Sequence, residues 1–140
     1  GETFMISNVQ TQGNQEKKAY DPVPDGEYVV ALNRVTEKQT KSGNGSYIDA
    51  SFSITEGDYE KRLLFHTFLI NHTSAKAQSI GREQLDKFLK SVGINGGFES
   101  LGNDSLALES LVGKELLVNT AIEANPGYKD RNKIKRFMRR

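Results

Sequence analysis

The sequence predicts a mainly β fold, a five-stranded barrel with one helix between strands three and four. Three observations lead to this prediction. The 140 residues are enough for one domain with a single core. Short apolar stretches, some of them alternating with polar residues, are separated by turns rich in glycine, proline and asparagine. One stretch, ending at Gly93, has the apolar spacing of an amphipathic helix.

The first strand follows a polar N-terminal region. Residues 1–20 are polar, so we predict a flexible arm there and a single domain over residues 21–138. The proline-rich segment 21–26 prevents a helix and starts a strand over 26–37. A polar loop over 38–46 follows.

Strands two and three differ in how clearly they divide into two faces. In strand two, over 47–55, apolar and polar residues alternate, which indicates one buried face. The expected inward residues are Ile48, Ala50, Phe52 and Ile54, and the outward ones are Tyr47, Asp49, Ser51 and Ser53. Strand three, over 61–70, is apolar in both phases. We favour burial of Leu64, Phe68 and Ile70, which displays Phe65 and Thr67 beside Tyr47; the alternative is that Phe65 is a core residue.

A helix is predicted between Ser74, its N-terminal cap, and Gly93, its C-terminal end. Its apolar stripe consists of Leu85, Phe88, Leu89 and Val92. Gly81 lies on the same face, which indicates close packing of the backbone.

The last two strands follow a connection over residues 94–113. Its expected core anchors are Leu101, Leu106, Leu108 and Leu111. Strand four, over 114–124, should bury one face made of Leu116, Val118, Thr120 and Ile122. A turn over 125–128 leads to a short basic strand over 132–137.

This order of elements is the one expected of an OB-fold, a partly open, five-stranded Greek-key barrel. Another small antiparallel α+β domain remains the alternative. OB-folds bind ligands on the face of strands two and three, between the loop joining strands one and two and the loop joining strands four and five.

Basic residues are concentrated in those two loops. The net charge is only +1, but residues 129–140 contain seven basic residues and one acidic residue. Basic side chains neutralise phosphates and release counterions, so nucleic-acid contact is favoured over the alternative of solvated loops. The candidate phosphate contacts are Lys38, Lys41, Lys129, Arg131, Lys133, Lys135 and Arg136.

Three aromatic residues are candidates for stacking on bases. Tyr47 and Phe65 are expected on the outer face of strands two and three, and Tyr128 lies in the second basic loop. Stacking of a base on an aromatic side chain contributes about 1–3 kcal/mol. The three positions therefore predict binding to unpaired bases.

Catalytic and metal chemistry are not indicated. The chain has no cysteine, which excludes disulfides and thiolate metal sites. His66 and His72 lack the spaced partners of a zinc site, and His66 is expected to pack or hydrogen-bond within the sheet. No motif for a phosphate-binding loop or a nucleophile is present. We therefore predict a protein that is not an enzyme and has no cofactor, and no stretch is apolar enough to span a membrane.

Several segments, taken in order, resemble a known family. They are residues 24–28 (PDGEY), 41–45 (KSGNG), 52–57 (FSITEG), 62–71 (RLLFHTFLIN) and 132–135 (NKIK). Together they resemble small bacteriophage early-region proteins, long described as of unknown function and regarded as single-stranded DNA-binding proteins. That family typically has a large aromatic residue at the position of Phe65 with polar neighbours two residues away, whereas here the neighbours are Leu63 and Thr67.

The resemblance and the residues together predict a sequence-independent single-stranded DNA-binding protein. It would coat DNA during phage replication and recombination in the host cytoplasm, over about 4–16 nucleotides per fold. Three to five neutralised phosphates would give a slope of log K against log salt of about −2 to −3.5. Possible partners are a phage polymerase, helicase or recombinase, and a homodimer is possible. The alternatives are a protein-interaction module of a replisome and a strand-annealing recombination factor.

Overall fold

The computed structural model of the chain describes residues 21–140, so the predicted arm at residues 1–20 lies outside the described residues. Within that part of the chain there are five strands, one α-helix and two short 3₁₀ helices. In order they are β1 (Gly26–Gln39), β2 (Gly45–Ile54), β3 (Leu63–His72), α1 (Ala75–Ser91), the 3₁₀ helices Phe98–Leu101 and Ser105–Leu111, β4 (Glu115–Glu123) and β5 (Arg131–Met138). The predicted strands are confirmed, with ends that lie within two residues of the prediction.

The strands form one antiparallel sheet in the order β3-β2-β1-β4-β5. The central strand β1 is long enough to pair with two neighbours. Residues 26–31 of β1 pair with β4, and residues 30–39 pair with β2. The register with β2 shifts between Leu32 and Arg34, and a bulge of this kind bends a strand and increases its twist. The bend allows β1 to pair with β2 on one side and with β4 on the other as the sheet curls.

The two edge strands, β3 and β5, approach each other across the core. The ring centroid of Phe137 on β5 lies 5.3 Å from that of His66 and 5.6 Å from that of Phe68, both on β3. The ladder of backbone pairs does not continue between these strands. The fold is therefore a curled but open five-stranded antiparallel sheet. The predicted number of strands and the predicted position of the one α-helix, between β3 and β4, are confirmed.

The inner face of the sheet carries the core. The predicted inward residues of β2 are confirmed, because Ile48, Ala50, Phe52 and Ile54 are buried. Ser51, predicted to face outward, is buried as well, and its hydroxyl accepts a hydrogen bond from the Asn33 amide at 3.0 Å. In β3 the favoured phase is confirmed: Leu64, Phe68 and Ile70 are buried, whereas Thr67 is exposed. Phe52, Phe68 and Phe88 of α1 form an aromatic centre to this core.

The helix α1 begins and ends as predicted. The Ser74 hydroxyl accepts a hydrogen bond from the backbone N–H of Ala77 at 3.3 Å, which caps the first turn. Gly93 follows the last turn with φ of 96°, in the left-handed region that glycine adopts without strain. None of the described helices combines the length and hydropathy that crossing a membrane requires.

Two predicted core positions are wrong. Leu106 is 71% exposed. It lies in a 3₁₀ helix, where residues three apart share a face, so Leu108 and Leu111 are buried together and Leu106 projects away from them. Ile122 is 40% exposed because it lies near the end of β4, beyond the buried residues Leu116, Val118 and Thr120.

Candidate functional site

A groove with a volume of about 990 Å³ lies on the open side of the sheet. The outer face of the sheet forms one wall, with Asn33 from β1, Ser53 from β2, and Phe65 and Thr67 from β3. The β4–β5 loop and the start of β5 form the opposite wall. That wall comprises Asn125, Tyr128, Lys129, Asp130, Arg131, Asn132 and Lys133.

Two aromatic side chains line this groove from opposite walls. Phe65 is half-buried and lies opposite Ser51 in the ladder between β2 and β3, on the outer face. Tyr128 is 77% exposed and lies in the turn that joins β4 to β5, where its backbone N–H donates to the carbonyl of Asn125 at 2.8 Å. The groove therefore has an aromatic side chain from the sheet and another from the β4–β5 loop in its lining.

The charged residues of the groove balance one another. Its lining contains five acidic and five basic side chains. The Lys129 Nζ lies 2.9 Å from the Asp21 Oδ1, and an Arg131 guanidinium nitrogen lies 3.0 Å from the Glu123 Oε1. Two of the predicted phosphate contacts are thus already paired with carboxylates.

The segment before β1 is attached to the wall of the groove. The backbone N–H of Val23 donates to the Asn132 Oδ1 at 3.0 Å, and the Asn132 amide donates back to the Val23 carbonyl at 2.8 Å. The Arg62 guanidinium donates to the Asp21 carbonyl. The hydrogen bond and the charge of Lys129 lower the pKa of the Asp21 carboxyl. Asp21 therefore holds a negative charge at the groove.

His66 lies at the seam between β3 and β5 and also lines the groove. Its Nε2 is 3.2 Å from the Gln84 Oε1, and its ring packs on Phe68 and Phe137 with centroid distances of 4.6 and 5.3 Å. Burial lowers the pKa of His66; the hydrogen bond to Gln84 opposes that change, and the charge of Lys133 adds to it. The described residues contain no cluster of three or more His, Asp or Glu side chains suited to a metal ion.

A second, smaller cavity of about 480 Å³ adjoins the groove. Tyr47 lines this cavity rather than the groove, together with Leu69 of β3 and Ile80 of α1. Thr67 and Gln84 line both spaces. The two spaces therefore adjoin each other at Thr67 of β3 and Gln84 of α1.

The structure brings five of the ten predicted site residues together in the groove, namely Phe65, Tyr128, Lys129, Arg131 and Lys133. Four others line neither space. Lys38 forms an ion pair with Asp49, with Nζ 2.9 Å from Oδ2, and Lys41 lies exposed in the β1–β2 loop. Lys135 and Arg136 are exposed on β5, where the register with β4 shifts.

Sequence reasoning missed several residues of the groove. Asn33 and Gln84 are polar residues that line the groove. The curl of the sheet brings Asn33 to the groove, and the packing of α1 brings Gln84 there. Lys61 and Arg62 lie in the turn just before β3 and line the groove as well. Lys61 has φ of 75°, an uncommon conformation for a residue with a side chain. The adjacent basic pair in the sequence was the available signal for this part of the site.

The open five-stranded antiparallel sheet with one helix between β3 and β4 defines the chain as a mainly β protein, with an aromatic-lined groove beside the sheet. The sequence model of the family described as "Protein of unknown function (DUF669)" matches residues 8–139. The chain belongs to this family. No curated protein matches the chain significantly.

Proposed function

We propose that the protein is an OB-fold protein that binds single-stranded DNA with little sequence preference. The observation that carries this proposal is the groove in which Phe65 and Tyr128 face one space bordered by Lys129, Arg131 and Lys133. Aromatic surfaces together with a cationic border are the two components of single-strand binding sites.

The sheet topology supports the OB-fold part of the proposal. In an OB-fold the strands form a partly open five-stranded barrel, and ligands bind between the loops on the face of strands two and three. Here β1 pairs with both β2 and β4, the helix lies between β3 and β4, and β3 approaches β5. The groove lies on the outer face of β2 and β3 and is bordered by the β4–β5 loop, one of the two loops that flank the binding face of an OB-fold.

The chemistry of the groove favours unpaired bases over a duplex. A partly buried ring such as Phe65 contacts only a base that has left its stack, because paired bases present edges rather than faces to a protein. Uncharged polar side chains beside it, such as Asn33, Ser53 and Thr67, match the edges of bases of any type. These features support binding that depends on strandedness and little on sequence.

Phosphate contacts would come from the border of the groove and from the residues beyond it. Lys133 lines the groove, and no ion pair is recorded for it among the described residues. Lys129 and Arg131 would exchange a carboxylate partner for a phosphate. Lys41, Lys135 and Arg136 are exposed and would contact a strand that continues past the groove. Lys38 would have to leave Asp49 to do the same.

In biological terms, the proposal is a protein that coats single-stranded DNA during phage replication and recombination in the host cytoplasm. The resemblance of the ordered segments to phage early-region proteins supports this context. A phage polymerase, helicase or recombinase would be the protein partners on this view, and a homodimer is compatible with it.

The decisive test is fluorescence anisotropy with a labelled oligo-dT of about 30 nucleotides, longer than one fold covers. We expect submicromolar affinity for the single strand and much weaker affinity for a duplex of the same length. Tyr128→Ala should weaken single-strand binding at least about fivefold, since one stacking contact contributes about 1–3 kcal/mol. Leu106→Ala is the matched control, because Leu106 is similarly exposed but lines neither cavity.

Other outcomes would point to other functions. Equal affinity for single strand and duplex would contradict the proposal. Salt-sensitive binding that survives both Tyr128→Ala and Phe65→Ala would indicate that charge alone acts, as expected of a protein-interaction module with a basic surface. Acceleration of the pairing of complementary strands would instead indicate an annealing factor.

A further inference from the structure

The cavity beside α1 has the properties of a base-binding site. Its lining is uncharged, and it combines apolar surface from Leu69 and Ile80 with the hydroxyl groups of Tyr47 and Thr67. An uncharged lining gives no stabilisation to a phosphate, whereas a neutral, flat and partly polar group matches it. It is a shallow, open space of about 480 Å³, which suits a flat group lying against its surface rather than an enclosed ligand.

The close packing of α1 against β3 forms one wall of this cavity. A Cβ on Gly81 would collide with the backbone carbonyl of Leu69, so the helix lies directly against β3. This contact brings the helix face that carries Ala77, Ile80 and Gln84 beside the outer face of β3. Ile80 is 47% exposed, although it belongs to a residue type that is mostly buried.

The spacing of residues along β3 sets the distance between the cavity and the groove. Thr67 and Gln84 line both spaces. Tyr47 lies opposite Leu69, four residues along β3 from Phe65, which corresponds to about 13 Å at about 3.3 Å per residue. Bases stacked in a helix are only about 3.4 Å apart. Two bases that occupied the two aromatic positions could therefore not be stacked neighbours.

We propose that the cavity formed by Tyr47, Leu69, Ile80 and Gln84 receives one unstacked base of the same DNA strand that occupies the groove. This inference rests on the proposed function and extends it. It makes α1 part of the binding surface and assigns a ligand contact to Ile80. The strand runs from the β4–β5 loop over Phe65, crosses Thr67 and ends with a base between Tyr47 and the helix.

The test pairs removal of a base with removal of the cavity wall. The probe is the shortest labelled oligo-dT that binds with full affinity, because such a strand fills every site and cannot change register. A series of probes each carries one abasic position, which removes a base and keeps the phosphate. Each probe is titrated against the wild-type protein, Ile80→Ala and the control Leu106→Ala. Alanine is the residue most favourable to a helix, and Ile80 is half exposed, so the variant keeps its fold.

We expect one terminal abasic position to weaken binding to the wild-type protein about fivefold. The same position should have less than about a twofold effect in Ile80→Ala, while the penalties at all other positions persist. Leu106→Ala should match the wild-type protein throughout.

Two results would overturn the inference, and they differ in what else they overturn. If Ile80→Ala shows the wild-type penalties at every position while Tyr128→Ala binds weakly, the groove binds DNA but the cavity does not. If the wild-type protein binds no oligo-dT, both the proposed function and the proposed base-binding role of the cavity are wrong.

Discussion

The His66 side chain is partly buried among aromatic rings, unlike a histidine on the protein surface. It lies where the two edge strands meet, packed on Phe68 and Phe137 and joined to Gln84 of α1. Burial favours the neutral imidazole and lowers the pKa of His66 below its usual value of about 6.5. Protonating this side chain therefore disfavours the folded arrangement in which β3 approaches β5.

The direction of the pH effect follows from this shift. Below pH about 6.5 the unfolded chain binds a proton at this position more readily than the folded protein does. The contribution of neutral His66 to stability is therefore complete above pH about 6.5, and it is lost as pH falls toward the lowered pKa of the folded state. Urea unfolding at pH 7.5 and pH 5.5 should show this loss in the wild-type protein, and His66→Gln should lack that part of it.

His72→Gln is the matched control, because it removes the other histidine, which lies at the end of β3. This variant should keep the pH-dependent difference that His66→Gln removes. A His66→Gln protein whose stability falls with pH as steeply as that of the wild-type protein would contradict the role assigned to His66.

At the scale of elements, the contact between α1 and β3 determines the shape of the binding surface. Gly81 lies in the middle of the helix, where glycine is less favourable than alanine by about 1 kcal/mol. Its use is explained by close approach, because the Leu69 carbonyl occupies the space that a side chain would need. The pairing of Leu69 with Tyr47 connects this contact to the β2 strand.

Gly81→Ala should therefore destabilise the protein although alanine favours helices. Overpacking costs about 1–3 kcal/mol, which exceeds the gain in helix propensity. We expect the free energy of unfolding to fall by about 1 kcal/mol, measured by urea denaturation. Ser79→Ala, an exposed position on the same helix, should leave it unchanged or raise it by a few tenths of a kcal/mol. A Gly81→Ala protein as stable as Ser79→Ala would contradict the close packing.

At the scale of the whole molecule, charge is distributed differently from what the sequence indicates. The basic C-terminal region folds against acidic residues from distant parts of the chain, as in the ion pair of Lys129 with Asp21. Arg140 likewise forms ion pairs with Glu56 and Glu115. A lysine that already has a carboxylate partner must give up that partner to contact a phosphate, so it neutralises less of the DNA charge and releases fewer counterions from the DNA.

The salt dependence of DNA binding should reveal this difference. Lys133→Ala should reduce the magnitude of the slope of log K against log salt by about 0.7, the value for one phosphate contact on a single strand. Lys129→Ala should reduce it by less, because Asp21 is already its partner. Asp21→Asn should make the slope steeper, and Asp58→Asn, which removes an exposed charge outside the groove, should not. Equal slopes for Lys129→Ala and Lys133→Ala would indicate that the ion pair does not persist in solution.

The sequence by itself determined the local structure of this protein. Alternation in β2, the cap at Ser74 and the stop at Gly93 depend on neighbours within a few residues, so the order and ends of the elements were predictable. The favoured phase of β3 was also correct, but both sets of alternating residues in that strand are apolar, so composition did not decide it and the burial of Leu64, Phe68 and Ile70 did.

Only the tertiary structure decided which side chains meet. The curl of the sheet separates Tyr47 from Phe65 into adjoining spaces and brings Gln84 of α1 to both. It also pairs Lys129 with a carboxylate 108 positions away in the chain. These contacts depend on the bend of β1 and on the close approach at Gly81, which join segments that are distant in sequence and leave no local pattern.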